Sequence, residues 1–306
     1  MAILSVTTSQ VDDSIPTLVA AEALGYLKAN TVFARLVRRD WDDEVSKAGQ
    51  TIKIPYGGTL TANSKTAATA ITLNQADDGA YSVTLDQHYE VSFLIDDIAE
   101  AISKPDWFSI YGAQAIAVLA EKVDAAIAAK YSGFSQTIDA TVAGGLTVGH
   151  FLNARRYLNA AKAPMQNRYA VLHEDAEYEA LNIDKITNRD YAETLGNMAA
   201  NSMVGRFAGF DIMLDQQIVE SAGTCKNMFF HRDALCLASR PLPQAPAGMG
   251  VVQKVMAEDG LGLRVTMSYD HDYLGAKFTV DLLYGIAELR DSHGVTVSTD
   301  IDPVIS

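Results

Sequence analysis

Apolar and polar residues alternate most cleanly between Tyr81 and Ile95. Tyr81, Val83, Leu85, Tyr89, Val91, Phe93 and Ile95 share one parity, and Ser82, Thr84, Asp86, His88, Glu90 and Ser92 the other. A period of two sustained over fifteen residues predicts one long strand with a single apolar face. At about 3.3 Å per residue it would reach roughly 50 Å, well beyond an ordinary strand. Upstream, residues 51–54 predict a short strand closed by Pro55 and the pair Gly57-Gly58. Between them the Thr- and Ala-rich stretch 59–72, with Lys65 near its tip, reads as a mobile loop with little to bury. Such an arm cannot shelter its own apolar face, and ordering its backbone has a large entropic cost. It must rest on another surface, of its own chain or of a neighbour.

The period changes to helical after the arm. Tyr111, Ala115, Leu119, Val123 and Ile127 recur every fourth residue, with Ile116 and Ala120 beside them. Ser103 can cap, Pro105 and Asp106 suit a first turn, and Gly133 ends the pattern, so a helix is predicted over 105–132. At about 1.5 Å per residue it would be a rod of roughly 42 Å. Before the arm, Leu18, Ala21, Leu24 and Ala29 predict a weaker helix that Gly25 destabilises. Residues 144–247 are mixed: a helix over 151–163 stopped by Pro164, a strand at 169–172, a short helix at 176–181, and apolar strands at 210–214 and 228–237. They end in a stiff Pro-rich connector, 241–246. Alternation returns at Leu261, Leu263, Val265, Met267 and Tyr269, and again at Phe278, Val280, Leu282, Tyr284 and Ile286. With residues 270–275 as the turn, these predict an antiparallel pair packed on the long helix. The expected fold class is α+β, with an inserted domain.

The chain has 306 residues and is 48% hydrophobic and 20% charged, enough for a substantial core. It contains no apolar run long enough to span a bilayer and no basic, apolar leader at its start, so no membrane association is expected. The formal net charge of −14 opposes contact with phosphate, which dominates nucleic-acid affinity. The one dense basic cluster, Arg35, Arg38 and Arg39, is followed at once by Asp40, Asp42, Asp43 and Glu44. Candidate chemistry is sparse. His173-Glu174-Asp175 starts like a zinc-protease helix but carries Glu177 where the second histidine belongs, and reads as an acidic helix N-terminus. Asp270-His271-Asp272 reads as a charged hairpin turn. Cys225 and Cys236 read as small buried hydrophobes. No nucleophile elbow or phosphate-binding loop occurs, and no catalytic, cofactor or metal residue is assigned. Long one-faced elements without a chemical constellation suggest a chain built to join copies of itself.

Several segments carry a resemblance. Residues 30–40 (NTVFARLVRRD) followed by 47–55 (KAGQTIKIP), 86–97 (DQHYEVSFLIDD), 164–169 (PMQNRY), 205–210 (GRFAGF), 231–235 (HRDAL) with 241–243 (PLP), and 282–285 (LLYG) with 289–291 (LRD) occur in this order. In that order they resemble tailed-bacteriophage major capsid proteins, over about residues 15 to 297. The resemblance implies the Hong Kong 97-type fold. Residues 1–48 would be the N-terminal arm and 49–96 the extended β-hairpin, or E-loop. Residues 97–143 and 248–306 would form the peripheral (P) domain, with the spine helix at 105–132, and 144–247 the inserted axial (A) domain. It further implies self-assembly into pentamers and hexamers of an icosahedral or prolate head enclosing double-stranded DNA, without sequence-specific binding. The chain has no room for a scaffolding region before its arm, so a separate scaffolding protein or a removed segment is implied, along with a portal and decoration proteins. Localisation would be the virion, and the host cytoplasm during assembly. The residues expected between subunits are Lys65, Tyr81, Val83, Leu85 and Tyr89 on the arm, and Arg35, Arg38 and Arg39 before it; some relatives crosslink a loop lysine, and Lys65 is the candidate here. Two alternatives stand beside this reading. One is a nanocompartment shell of the same fold, told apart by the contents of the particle. The other is an enzyme whose site assembles only in three dimensions, told apart by a deep pocket of convergent polar groups.

Overall fold

A computed structural model describes residues 31–39, 51–57, 60–74, 78–97, 107–141, 145–183, 205–246, 251–258 and 261–301. The helix expected within residues 1–30 and the caps expected at 103–106 lie outside these. The long helix α2, Trp107–Ala128, follows a four-residue helix α1, Phe33–Leu36, and tightens into a 3-10 turn, Ala129–Gly133, where the pattern had suggested a continuous rod. At about 1.5 Å per residue, α2 is roughly 33 Å long. Its stripe of Ile116, Leu119, Ala120, Val123 and Ile127 is buried against an antiparallel sheet.

That sheet is built on β13, Gly275–Glu288. One edge pairs first with β12, Leu261–Asp270, and then with β10, Leu235–Ser239; β11, Val251–Glu258, lies outside β12. Leu263, Val265, Phe278, Val280, Leu282 and Tyr284 face the helix and form the main core with it. The expected antiparallel pair is therefore present, with its turn at 271–274. Asp281, buried in β13, accepts two bonds from the Arg264 guanidinium of β12 and lies 3.3 Å from His88 Nε2. A third Arg264 nitrogen donates to the Pro243 carbonyl at 2.8 Å, which ties the Pro-rich connector to the sheet.

The other edge of β13 corrects the single fifteen-residue strand. The alternating segment is two strands, β2 (Asp78–Thr84) and β3 (Gln87–Asp96), with different partners. β2 pairs with β1, Thr51–Gly57, while β3 pairs with β13 over ten residues, Val91 opposite Val280 and Phe93 opposite Phe278. The break falls at Leu85-Asp86. Both residues stay outside the ladder without changing the side-chain parity, so alternation runs through the change of partner unmarked. The backbone crosses close over β13 there: a Cβ on Gly285 would lie 2.1 Å from the Thr84 carbonyl oxygen. Gly285→Ala should force the β2–β3 crossing off the sheet and lower stability by about 1–3 kcal/mol, read from urea unfolding of the full chain.

A second, mixed sheet of seven strands has the order β4-β14-β9-β5-β7-β6, with β8 on β9. Here β4 is Gln136–Asp139, β5 Arg168–Leu172, β6 Arg206–Phe207, β7 Phe210–Leu214, β8 Glu220–Ser221, β9 Thr224–His231 and β14 Gly294–Asp300. Helices α3, Val148–Ala160, and α4, Glu174–Leu181, cover it through Phe151, Ala154, Leu158, Ala176 and Ala180. Strand pairing does not follow the sequence boundaries expected for the insertion. β4 and β14, from 97–143 and 248–306, join the sheet of 144–247 because β14 pairs with β9 over seven residues. In the opposite direction β10, from 144–247, joins the sheet of β13.

One long-range contact seats the chain before the arm. Asp124 of α2 is buried and accepts the amide hydrogens of Val32 at 2.6 Å and Ala34 at 3.2 Å, satisfying donors that the first turn of α1 leaves open. Phe33, Ala34, Leu36 and Val37 then enter the main core.

Candidate assembly surface

The β1–β2 hairpin has a buried root and an exposed end. Ile52 and Ile54 of β1 share a face with Val83 of β2 and with Leu85, and this face packs on Cys236, Ala238 and Leu289. Farther out, the rings of Tyr56 and Tyr81 stack at 4.4 Å. Beyond the ladder, side chains replace backbone pairing. Asn74 Nδ2 donates to the Thr61 carbonyl at 2.7 Å and Thr61 Oγ1 donates to Asn74 Oδ1 at 3.2 Å. The tip is a tight turn, with Ala68 at φ 61° and the Thr69 amide bonded to the Thr66 carbonyl. The Lys65 ammonium donates to the Thr66 and Thr69 carbonyls, closing this turn.

Every residue from 60 to 74 is exposed, and three of them are large aliphatics: Leu60 at 68%, Ile71 at 70% and Leu73 at 82%. The expected contact residues divide accordingly. Val83 and Leu85 are buried within their own subunit, because β10 and Leu289 shelter the root of the hairpin. Tyr81 is half-buried against Tyr56, and Tyr89 stacks on Tyr284 at 6.1 Å. Lys65 binds back onto its own turn. Arg35 projects outward from α1, whereas the Arg38 backbone bridges to β10 and its guanidinium lies 3.6 Å from Asp233. Arg39 is half-buried. Leu60, Ile71 and Leu73 were missed, although the signal was present: they are the only large aliphatics in a stretch of Thr, Ala and Asn.

Polar constellations lie elsewhere. A cavity of about 300 Å³ is lined by Arg38, Pro164, Gln166, Asn167, His231, Arg232 and Asp233. Burial lowers the pKa of His231, whose Nδ1 accepts the Asp233 amide hydrogen at 3.2 Å. His231 thereby caps the 3-10 turn that begins at Arg232. Asp270 accepts the Asp272 amide hydrogen at 3.0 Å, the charged turn that was expected. The acidic helix N-terminus expected at His173-Glu174-Asp175 is present, with the His173 side chain capping α4, and the fold also brings Cys225 beside His173 and Asp175. Among the described residues no helix is long and apolar enough to cross a membrane.

The sequence profile of the family described as phage capsid protein matches residues 42–241. The chain belongs to that family. No curated protein matches it in sequence. Among solved structures, one of Mycobacterium phage Che8 is similar over 87% of this chain and 90% of its own, at 19% identity and a TM-score of 0.67. The capsid of cyanophage P-SCSP1u is similar over 82% and 83%, at 17% identity and a TM-score of 0.59. An encapsulin complex of Synechococcus elongatus is similar over 84% and 85%, at 12% identity and a TM-score of 0.51. The fold is the α+β Hong Kong 97-type capsid fold. This phage major capsid protein is a structural protein of the virion shell, which it builds with copies of itself.

Proposed function

We propose that the hairpin ending in residues 60–74 reaches across a neighbouring capsid subunit, and that this contact, repeated head to tail, closes rings of five and six chains into an icosahedral or prolate head around double-stranded DNA. The observation that carries the reading is the contrast along one hairpin. Its root is buried in its own subunit, while Leu60, Ile71 and Leu73 lie open at the far end. Burying such side chains contributes roughly 1.5–3 kcal/mol each, and head-to-tail contacts close when their rotation closes. In this reading residues 1–48 form the N-terminal arm and 49–96 the E-loop. Residues 97–143 and 248–306 form the P domain, with its spine helix at 105–132, and 144–247 the A domain, exchanging β4, β14 and β10 at the boundary. Arg35 is the outward basic residue of the arm. The net charge of −14 suits a container that confines DNA without gripping it. Assembly in the host cytoplasm would use a separate scaffolding protein and a portal, with decoration proteins added to the shell.

Light scattering and negative-stain microscopy of the purified chain, alone and with its scaffolding protein, should give megadalton particles. A clean monomer at high concentration under both conditions would sink the reading. The likeness to an encapsulin favours one second reading, a shell around a protein cargo. Nuclease-protected DNA inside particles from infected cells supports the head, and a co-purifying enzyme supports the compartment.

A further inference from the structure

The densest set of metal-ligating side chains lies in the mixed sheet, away from the hairpin. β5 ends at Leu172 and α4 begins at Glu174, so His173 sits on the junction with its side chain only 6% exposed. Its backbone is fixed from behind. The His173 amide donates to Asn227 Oδ1 at 2.7 Å, and Asn227 Nδ2 donates to Thr299 Oγ1 at 2.8 Å and the Val297 carbonyl at 3.2 Å. Cys225, fully buried, is the second residue of β9 just after the β8–β9 turn, where Ala222 and Gly223 hold φ of 54° and 77°. A ring nitrogen of His173, a carboxylate oxygen of Asp175 and the thiol sulfur of Cys225 all lie within 4.8 Å of one another.

The individual distances point inward. His173 Nδ1 is 3.3 Å from Asp175 Oδ2, that oxygen is 4.0 Å from Cys225 Sγ, and His173 Nε2 is 3.3 Å from Glu220 Oε1. Nδ1 also accepts the Asp175 amide hydrogen in a long bond of 3.4 Å, which ligation at Nδ1 would replace. Without an ion the thiol makes only a weak, long contact with Asp175 Oδ2 at 4.0 Å, whereas a metal ion would engage all three groups at bonding distance. Tetrahedral zinc, with bonds of about 2.0–2.3 Å, holds its donors roughly 3.3–3.7 Å apart. The three atoms need only a small inward movement to reach that geometry.

We propose that His173, Asp175 and Cys225, with a water as fourth ligand, bind a borderline-soft divalent metal ion, with zinc the best match, and that Glu220 orients the ring by accepting from Nε2–H. Imidazole, thiolate and carboxylate together select a zinc-like ion over calcium or magnesium, which take oxygen ligands. On binding, the Cys225 S–H bond breaks heterolytically, the sulfur bonds the ion and the proton leaves to solvent, with no change of oxidation state. The ion would staple the β8–β9 hairpin to the β5–α4 junction, joining segments fifty residues apart in sequence. The site is independent of the assembly reading, since all four residues belong to one subunit.

Cobalt(II) is the probe, added to the full-length protein after chelator treatment. One equivalent per chain should bind, with a thiolate-to-cobalt charge-transfer band in the near ultraviolet and tetrahedral visible bands, and zinc should displace it. Cys225→Ser should abolish the charge-transfer band and weaken zinc binding at least about tenfold. Glu220→Gln should weaken zinc about tenfold while keeping the band. Glu220 is 54% exposed on the hairpin rim, so this variant reports even where Cys225→Ser fails to fold. Failure of the wild type to bind cobalt competitively with zinc, as an imidazolium held only between carboxylates would behave, overturns the proposal. So does a cobalt spectrum unchanged by Cys225→Ser, or a zinc affinity unchanged by Glu220→Gln.

Discussion

A capsid chain carrying Leu60→Asp, Ile71→Asp and Leu73→Asp together is expected to fold as its parent does and to form no shell. The three positions are among the most exposed aliphatics of the described residues and lie beyond the paired part of the hairpin, so no packed contact within the subunit is lost. Against a neighbour the balance reverses. Each aspartate forfeits roughly 1.5–3 kcal/mol of apolar burial and adds an unpaired carboxylate whose desolvation costs several kcal/mol. In the proposed assembly the contact would recur in every subunit, so its loss would be multiplied around each ring. Circular dichroism and the urea midpoint should match unassembled parent chain, while gradient sedimentation shows no particles. Normal shells from this triple variant would remove the hairpin end from the assembly contact. Leu60→Ala, Ile71→Ala and Leu73→Ala should act in the same direction through lost burial alone.

The physical reason for that choice of residues also shows what the sequence could and could not disclose. Parity identified the inward face of β2 and β3 correctly, because alternation reports which side of a strand is apolar. It could not report what that side meets. Val83 and Leu85 look like open arm residues until β10, about 150 positions later, is seen to cover them. The same distance hides the exchange of β4, β14 and β10 between sheets, since strand pairing is a property of two segments and neither carries a label for the other. The helix α2 and the β12–β13 pair were legible because each is local: one repeat and one turn define them. Leu60, Ile71 and Leu73 were overlooked for a compositional reason, three aliphatics being diluted among small polar residues. Cys225 and His173 stand 52 positions apart, and only the β5–β9 pairing brings them together.

Asp124 supplies the second large effect, and it appears as a dependence on pH. Burial raises its pKa from the ordinary 3.8 to about 7; the amide bonds from Val32 and Ala34 and the nearby Arg35 pull it down, and Asp215 adds to the rise, but desolvation dominates. The folded chain therefore holds a proton that the unfolded chain releases. The contribution of Asp124 to stability is complete below about pH 4, falls as pH rises, and is lost above about pH 7. At about 1.4 kcal/mol per unit, the whole window amounts to roughly 4 kcal/mol. Between pH 5 and pH 8 the fall should be roughly 2–3 kcal/mol. Asp124→Asn cannot ionise and keeps one acceptor for the Val32 amide, so its stability should lack this component. The measurement belongs in the non-assembling Leu60, Ile71 and Leu73 variant, where subunit association does not add its own concentration dependence. Urea unfolding across that range, with and without Asp124→Asn, isolates the residue, because Asp215 and Glu179, whose pKa values burial also raises, are common to both chains. Parallel pH profiles would show that the buried carboxylate beneath residues 32–34 titrates as an ordinary one, and that the seat of this segment on the long helix is indifferent to pH.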